Sequence, residues 1–384
     1  MSSILNKITV VTGTRADYGI YYPVLKRLES EPVFHVNLLV TGMHLSPQYG
    51  MTVQEIEKDG FEILGKVDML LQGDSDANMS KGIGIGLLGM TQLLEQARPD
   101  LLIVLGDRGE MLAASIAAAH LNIPIAHFHG GEVSGSIDES VRHSISKFSH
   151  IHFPATEKSA ERLRKMGEDE WRVYPVGAPR IETIQNAELK SWSTVKDIYS
   201  LKAEDDFILL VFHPVTTEIE GIEDQVKDVL EAVEKTGKSV VCIMPNSDAG
   251  TEHILRIYKQ YQNHSSFDFV TNFQHLDYLT VLKQCAALVG NSSSGIIEAA
   301  SFSKPVLNIG SRQNGRERSG NVIDVQPNFK DIKQGLEKVL SETFNNEVKS
   351  IKNAYGDGTT STKVVEILKK LEVADSLLQK KISY

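Results

Sequence analysis

Cysteine is scarce in this chain: two residues in 384, Cys242 and Cys285, far apart and each inside an apolar segment. That pattern excludes a disulfide scaffold, fits a reducing compartment such as the cytoplasm, and reads as two small core residues. Long hydrophobic runs are missing too. No stretch reaches the roughly 20 apolar residues that cross a bilayer. The run Gly82–Met90 (GIGIGLLGM) is too short to span and reads as part of a buried helix. The opening MSSILNKITVVTG enters a strand pattern at once, without the layout of a cleaved signal. Positive charge is in deficit, with a formal net charge of −10, which argues against nonspecific nucleic-acid binding. There is no GxGxxG fingerprint, Walker loop, GxSxG elbow or kinase loop set, and no HExxH or paired Cys/His spacing despite twelve histidines. No cofactor and no metal is therefore expected.

What is present is material for two cores. At 384 residues, 41% hydrophobic and 23% charged, the chain suits two domains of about 180 residues each. Short apolar runs alternate with helical periods throughout. ITVVT (8–12), HVNLLVTG, LLIVLGD (101–107), IPIAHFH (123–129) and HIHFPA read as strands in the first half. FILLVFH (207–213), SVVCIM (239–244), ALVGN (287–291), PVLNI (305–309) and NVIDV (321–325) read as strands in the second. Continuous apolar strands separated by helices imply α/β architecture with parallel sheets covered on both faces. The pattern weakens around residues 177–200. The expected division is 1–180, 181–365, and a C-terminal helix at 366–384 that packs back on the first domain.

In an open parallel sheet, ligands bind beyond the carboxyl ends of the strands. Here those positions are polar: Arg15 and Asp17; Asp107 and Arg108; His129 and Glu132; His213; Asn246 and Asp248; Asn291–Ser294; Arg312. An acidic protein that binds an anion must concentrate positive groups locally, and Arg15, Arg108 and Arg312 do so. ALVGNSSSGIIEAAS is strand, Ser/Gly turn, helix, so Ser292 and Ser293 lie where free N–H groups favour an anion. Plain N-capping by a serine is the competing reading there. Glu298 would then lie on the side that a ribose diol approaches. Arg15 is either a phosphate fork or half of a surface pair with Asp17. Asp107, Glu132, Asp138, His129 and His213 are the raw material for general acid–base chemistry, whereas His127, His150 and His152 alternate along strands and read as packing residues. Composition and spacing thus reach an α/β protein of two domains that binds an anionic ligand of nucleotide-sugar type.

Seven segments, GTRADYG, GDRGE, HGGEVSGSIDESVRHSISK, FHPVTTE, MPNSDAG, GNSSSGIIEA and GSRQNGR, resemble in order the hydrolysing UDP-N-acetylglucosamine 2-epimerases of sialic-acid-type biosynthesis. The resemblance covers roughly residues 8–325. It implies the GT-B arrangement, two Rossmann-like doubly wound domains facing across a cleft, and a homodimer. It implies removal of the C2 proton, elimination of UDP to a 2-acetamidoglycal, and hydration to free N-acetylmannosamine. Carried over by motif, Arg15, Arg108, Ser292, Ser293 and Arg312 would contact the diphosphate, Glu298 the ribose, and Asn246 the nucleotide. Asp107 and Asp138 would be catalytic acids or bases, and His213 would assist near the phosphate or sugar. Many relatives read EGGE where this chain reads HGGE, so the role of that carboxylate falls to His129, to Glu132, or to a different relay. A similar group acts on UDP-N,N'-diacetylbacillosamine and feeds legionaminic acid. Of the two substrates the reading puts UDP-N-acetylglucosamine first. A nonhydrolysing epimerase, a GT-B glycosyltransferase and a nucleotide-sugar sensor are the competing classes.

Overall fold

Both faces of a parallel sheet are covered by helices, so its strands need no polar alternation. That is why the apolar runs of this sequence become strands. The computed structural model describes residues 3–71, 76–133, 137–215, 218, 220–245 and 250–383. It divides into one unit of Met1–Thr183 with Tyr355–Tyr384 and another of Ile184–Ala354.

The first unit holds β1 (Ser3–Ile4), β2 (Lys7–Thr12), β3 (His35–Thr41), β4 (Ile63–Val67), β5 (Leu101–Leu105), β6 (Ile125–Phe128) and β7 (Ile151–Phe153). Six of these form a parallel sheet in the order β4-β3-β2-β5-β6-β7. The second unit holds β8 (Ile208–Val211), β9 (Val240–Ile243), β10 (Phe267–Val270), β11 (Ala287–Gly290), β12 (Val306–Ile309) and β13 (Val322–Val325), in the order β10-β9-β8-β11-β12-β13. Each sheet is thus doubly wound in the Rossmann manner, and the order reverses between β2 and β5 and between β8 and β11. Alternate residues feed the two faces. Ile8, Val10, Leu101 and Ile103 pack with Tyr21, Leu25 and Leu28. Val11, Leu102 and Val104 pack with Met90, Leu94 and Met111. In the second unit Ile208 and Leu210 face one cluster and Leu209 and Val211 the other. Cys242 and Cys285 are buried free thiols, which burial pushes up to about 12.

The chain returns to the first unit at Tyr355, earlier than the 366 expected from sequence. The expected single terminal helix is broken. Helix Thr360–Lys370 is followed by β14 (Glu372–Val373), which pairs antiparallel with β1, and by the short helix Asp375–Leu378. Glu182 accepts the Ser361 N–H at 2.7 Å. Arg172, 1% exposed, donates to the carbonyls of Leu377 (2.9 Å) and Ser376 (3.0 Å). The Lys380 ammonium meets the Glu168 carboxylate at 2.6 Å and the Ser149 carbonyl at 2.7 Å, and His152 Nε2 meets Glu168 at 3.0 Å. Burial alone would raise the Glu168 pKa, but His152 and Lys380 outweigh it and hold it at about 2.

Buried imidazoles weigh on the acid side of stability, with burial lowering the His152 pKa as well. Burial lowers His44 to about 4, His127 to about 3 and His150 to about 4. Below pH 6.5 the unfolded chain takes up protons that these folded rings refuse, so stability falls with falling pH, and above 6.5 they contribute no slope. Scanning calorimetry is expected to show a Tm that drops by about 5 °C or more between pH 6.5 and 4.5. A Tm that rises over that range contradicts neutral buried rings.

Candidate active site

At the reversal point of the first sheet, β2 and β5 send their connections in opposite directions and leave their tips uncovered. Beyond β2, Thr14 caps helix Arg15–Glu29 by accepting the Asp17 N–H at 3.1 Å. A Cβ on Gly13 would lie 3.2 Å from Glu110 Cγ, and one on Gly42, at φ +59, would lie 2.7 Å from Glu110 Oε1. The two glycines therefore form a slot for the Glu110 side chain, which is nearly buried and accepts from Arg108 Nη2 at 3.0 Å. Asp17 is 5% exposed, and its Oδ2 has no hydrogen-bond partner among the described residues. Burial raises its pKa, against the pull of Arg108. Burial also works against the Arg108 charge, but Glu110, Asp17 and Asp138 outweigh it and hold that guanidinium firmly protonated.

Asp107 is ion-paired with Arg142, a buried residue of helix Ile137–Phe148. Beneath this loop His127 Nε2 lies 2.8 Å from the Gly106 carbonyl, and Nδ1 lies 3.1 Å from the Ser146 hydroxyl. A carbonyl only accepts, so Nε2–H donates and Nδ1 receives the Ser146 hydroxyl proton. Beyond β6, His129 adopts φ +60 and its Nδ1 meets Glu132 Oε1 at 2.7 Å. The carboxylate accepts, so Nδ1 carries the proton and Nε2 is the ring's open position. That Nε2 is buried with no hydrogen-bond partner among the described residues. The following glycines are required: a Cβ on Gly130 would lie 2.9 Å from His127 Nδ1, and one on Gly131, at φ +76, would strike the Ser159 carbonyl oxygen. Asp138 is exposed in the first turn of its helix. Arg15 is exposed and pairs at 3.1 Å with Glu55, not with Asp17.

In the second unit the reversal point lies between β8 and β11. Gly290, at φ +132, approaches the Val211 carbonyl so closely that any Cβ would collide with it. Asn291 then donates its N–H to Val211 O at 3.0 Å, and its side-chain amide bonds both backbone groups of His213, each at 2.8 Å. Ser292 is an N-cap that accepts the Ser294 N–H at 3.3 Å, and the Ser294 hydroxyl bonds Tyr278. The helix it caps, Ser293–Ile297, has only five residues. Glu298, expected early in a longer helix, instead closes this one and is 3% exposed. Arg312 Nη1 and Gln313 Nε2 both donate to the Asn291 carbonyl, at 3.2 and 2.8 Å. Arg318 bonds Asp324 and the carbonyls of Gln313 and Arg316. Asn246 and Asp248 lie outside the described residues.

The first unit thus brings Arg108, Glu110, Asp17 and Asp138 together, with Asp107–Arg142 and His129–Glu132 as separate pairs; the second brings together His213, Asn291, Ser292 and Arg312. Sequence reasoning missed Glu110, Arg142 and Gln313 as parts of these clusters. The available signal for Glu110 was its place in the first turn of the helix after the charged tip of β5. Among the described residues no group of three or more His, Cys, Asp or Glu side chains is placed to hold a metal, and no helix is long and apolar enough to cross a membrane.

The profile of the UDP-N-acetylglucosamine 2-epimerase family matches residues 26–369. The chain is 43% identical over 381 residues to the UDP-N,N'-diacetylbacillosamine 2-epimerase (hydrolyzing) of Legionella pneumophila, covering 99% of this chain and all of that one. It is 33% identical to the UDP-N-acetylglucosamine 2-epimerase of Neisseria meningitidis serogroup B, covering 98% of each. Its fold is GT-B-like and matches the crystal structure of UDP-GlcNAc 2-epimerase from Neisseria meningitidis bound to UDP-GlcNAc. That match has a TM-score of 0.81 at 20% identity, over 95% of this chain and 100% of the other. A profile spanning most of the chain and relatives aligned from end to end lead to one conclusion: the chain belongs to the UDP-N-acetylglucosamine 2-epimerase family.

Proposed function

We propose that the chain is a hydrolysing 2-epimerase that converts UDP-N,N'-diacetylbacillosamine and water to UDP and 2,4-diacetamido-2,4,6-trideoxymannose. The observation that carries this reading is the 43% identity, over 99% of the chain, to a hydrolysing enzyme named for that substrate. The lower identity, 33%, to a UDP-N-acetylglucosamine 2-epimerase supports placing that substrate second, where the sequence motifs alone placed it first. UDP-N-acetylglucosamine, giving N-acetylmannosamine, remains the second reading on the same chemistry.

A base takes the C2 proton; the electron pair forms the C1–C2 double bond as the C1–O bond to the diphosphate breaks, and UDP leaves. Water then gives its hydroxyl to C1 while a proton reaches C2 from the opposite face. The carboxylates and imidazole beyond β5 and β6, namely Asp107, Asp138, His129 and Glu132, suit these proton transfers. With its proton on Nδ1, His129 offers Nε2 as a base, and Glu132 stabilises the imidazolium that forms. Arg15 and Arg108 in the first unit, and Ser292, Ser293 and Arg312 in the second, suit the departing diphosphate. Glu298 suits the ribose hydroxyls, Asn246 the nucleotide, and His213 the phosphate or sugar.

Incubation with each UDP-sugar in D₂O, followed by mass spectrometry, tests the chemistry and the substrate together. Free sugar carrying deuterium at C2 is expected, with faster turnover of the diacetamido substrate. UDP release with C2 protium retained rules the mechanism out and points to a transferase; a UDP-linked product points to a nonhydrolysing epimerase. His213→Ala and Asp107→Asn are each expected to lower turnover by about 10²-fold or more with the fold intact. Wild-type rates in both variants would place the chemistry elsewhere.

We further propose a homodimer. On helix Asp76–Ala97, Ile85 (40%) and Leu88 (71%) are exposed on one face, and the space above Gly84 is open. An antiparallel pairing centred on Leu88 sets Lys81 opposite Glu95 of the second copy, seven residues either side of the centre and about 10 Å along the axis. Light scattering is expected to show a dimer for the wild type and a monomer for Leu88→Lys; an unchanged mass in the variant excludes this face.

A further inference from the structure

The ladder between β8 and β11 stops where the chemistry is expected to begin. Its last backbone rung is the Asn291 N–H to the Val211 carbonyl, at 3.0 Å. Two residues beyond β8 comes His213, followed by Pro214, which has no N–H to continue a ladder. The Asn291 side chain replaces the missing rung. Its Oδ1 accepts the His213 N–H at 2.8 Å and its Nδ2 donates to the His213 carbonyl at 2.8 Å. A primary amide offers an acceptor and a donor at this spacing; an ionised carboxylate of the same shape accepts but cannot donate. The residue is 1% exposed, so water does not substitute for either bond.

The backbone carbonyl of the same residue receives Arg312 Nη1 at 3.2 Å and the amide of Gln313, itself 2% exposed, at 2.8 Å. Its peptide neighbour is Ser292, the N-cap of helix Ser293–Ile297. One buried side chain and its carbonyl therefore set the relative placement of an imidazole-bearing segment, a guanidinium and a serine.

We propose that Asn291 is a positioning residue, holding His213 in register with Arg312 and Ser292 so that all three meet one substrate. The proposal rests on reading His213 and Arg312 as substrate-facing groups. It differs from a plain structural role, in which Asn291 only satisfies buried backbone groups and its loss lowers stability alone.

A double-mutant cycle separates the two. Asn291→Asp, His213→Ala and the double variant are compared by kcat and KM on the UDP-sugar turned over by the wild type, with UDP affinity by calorimetry and Tm alongside. Asn291→Asp is expected to lose about 10-fold or more in kcat, and the double variant to be no slower than His213→Ala beyond about 3-fold, because both changes remove one function. Multiplying losses, or a wild-type kcat in Asn291→Asp, overturn the positioning role while leaving the reading of His213 standing. A wild-type rate in His213→Ala overturns that reading and the proposal with it. If Asn291→Asp does not fold, Asn291→Ser, which keeps a hydroxyl donor and acceptor, is judged by the same cycle and the same outcomes.

Discussion

Two adjacent parallel strands whose connections leave in opposite directions cannot cover their own carboxyl ends. This constraint operates twice here, between β2 and β5 and between β8 and β11. Arg15, Asp107, Arg108, His213, Asn291 and Ser292 stand beyond these four strands, and His129 and Arg312 beyond their neighbours β6 and β12. Gly13, Gly106 and Gly290 stand at the ends of β2, β5 and β11, and positive φ at Gly106 and Gly290 turns the chain there. Polar residues at these tips are not surface accidents; they occupy the part of each sheet that the winding leaves open.

Opposite charges then decide which of these groups is rigid and which is available. Arg15 and Glu55 are largely exposed, and such a pair contributes roughly 0–1 kcal/mol, too little to keep Arg15 from another anion. Asp107 and Arg142 are different: the arginine is buried and the aspartate only partly exposed, so solvent and salt screen this pair less. Arg108 lies between these cases: Glu110 fixes one edge of its guanidinium, while its Nε has no hydrogen-bond partner among the described residues. The Arg108 guanidinium is thus held in one orientation by Glu110.

Strands whose residues are all apolar were legible in the sequence. LLIVL at β5 and ILLV at β8 are buried throughout, and nothing else suits such runs. β4 was missed because ILGKV carries Gly65 and Lys66; the glycine is there because a Cβ would lie 2.6 Å from Leu93. β10 was missed because FDFV is short and half-buried at the sheet edge. The placement of the candidate residues beyond strand ends was legible because it follows the order of the chain. Arg142, which holds Asp107 from 35 residues away, was not, since pairing across that separation leaves no local pattern. The length of the helix before Glu298 was not legible either: it is set by the turn at Ala299–Phe302, which no periodicity in the segment announces.

The return of the C-terminal segment to the first unit has a consequence for synthesis. Arg172 and Glu168 are buried only once Leu377 and Lys380 arrive, and residues 184–354 of the other unit are translated in between. At roughly 5–20 residues per second, the ribosome leaves these charges and the groove around helix Arg15–Glu29 uncovered for about 10–35 s. A nascent first unit therefore lacks these partners until the last residues of the chain have been made.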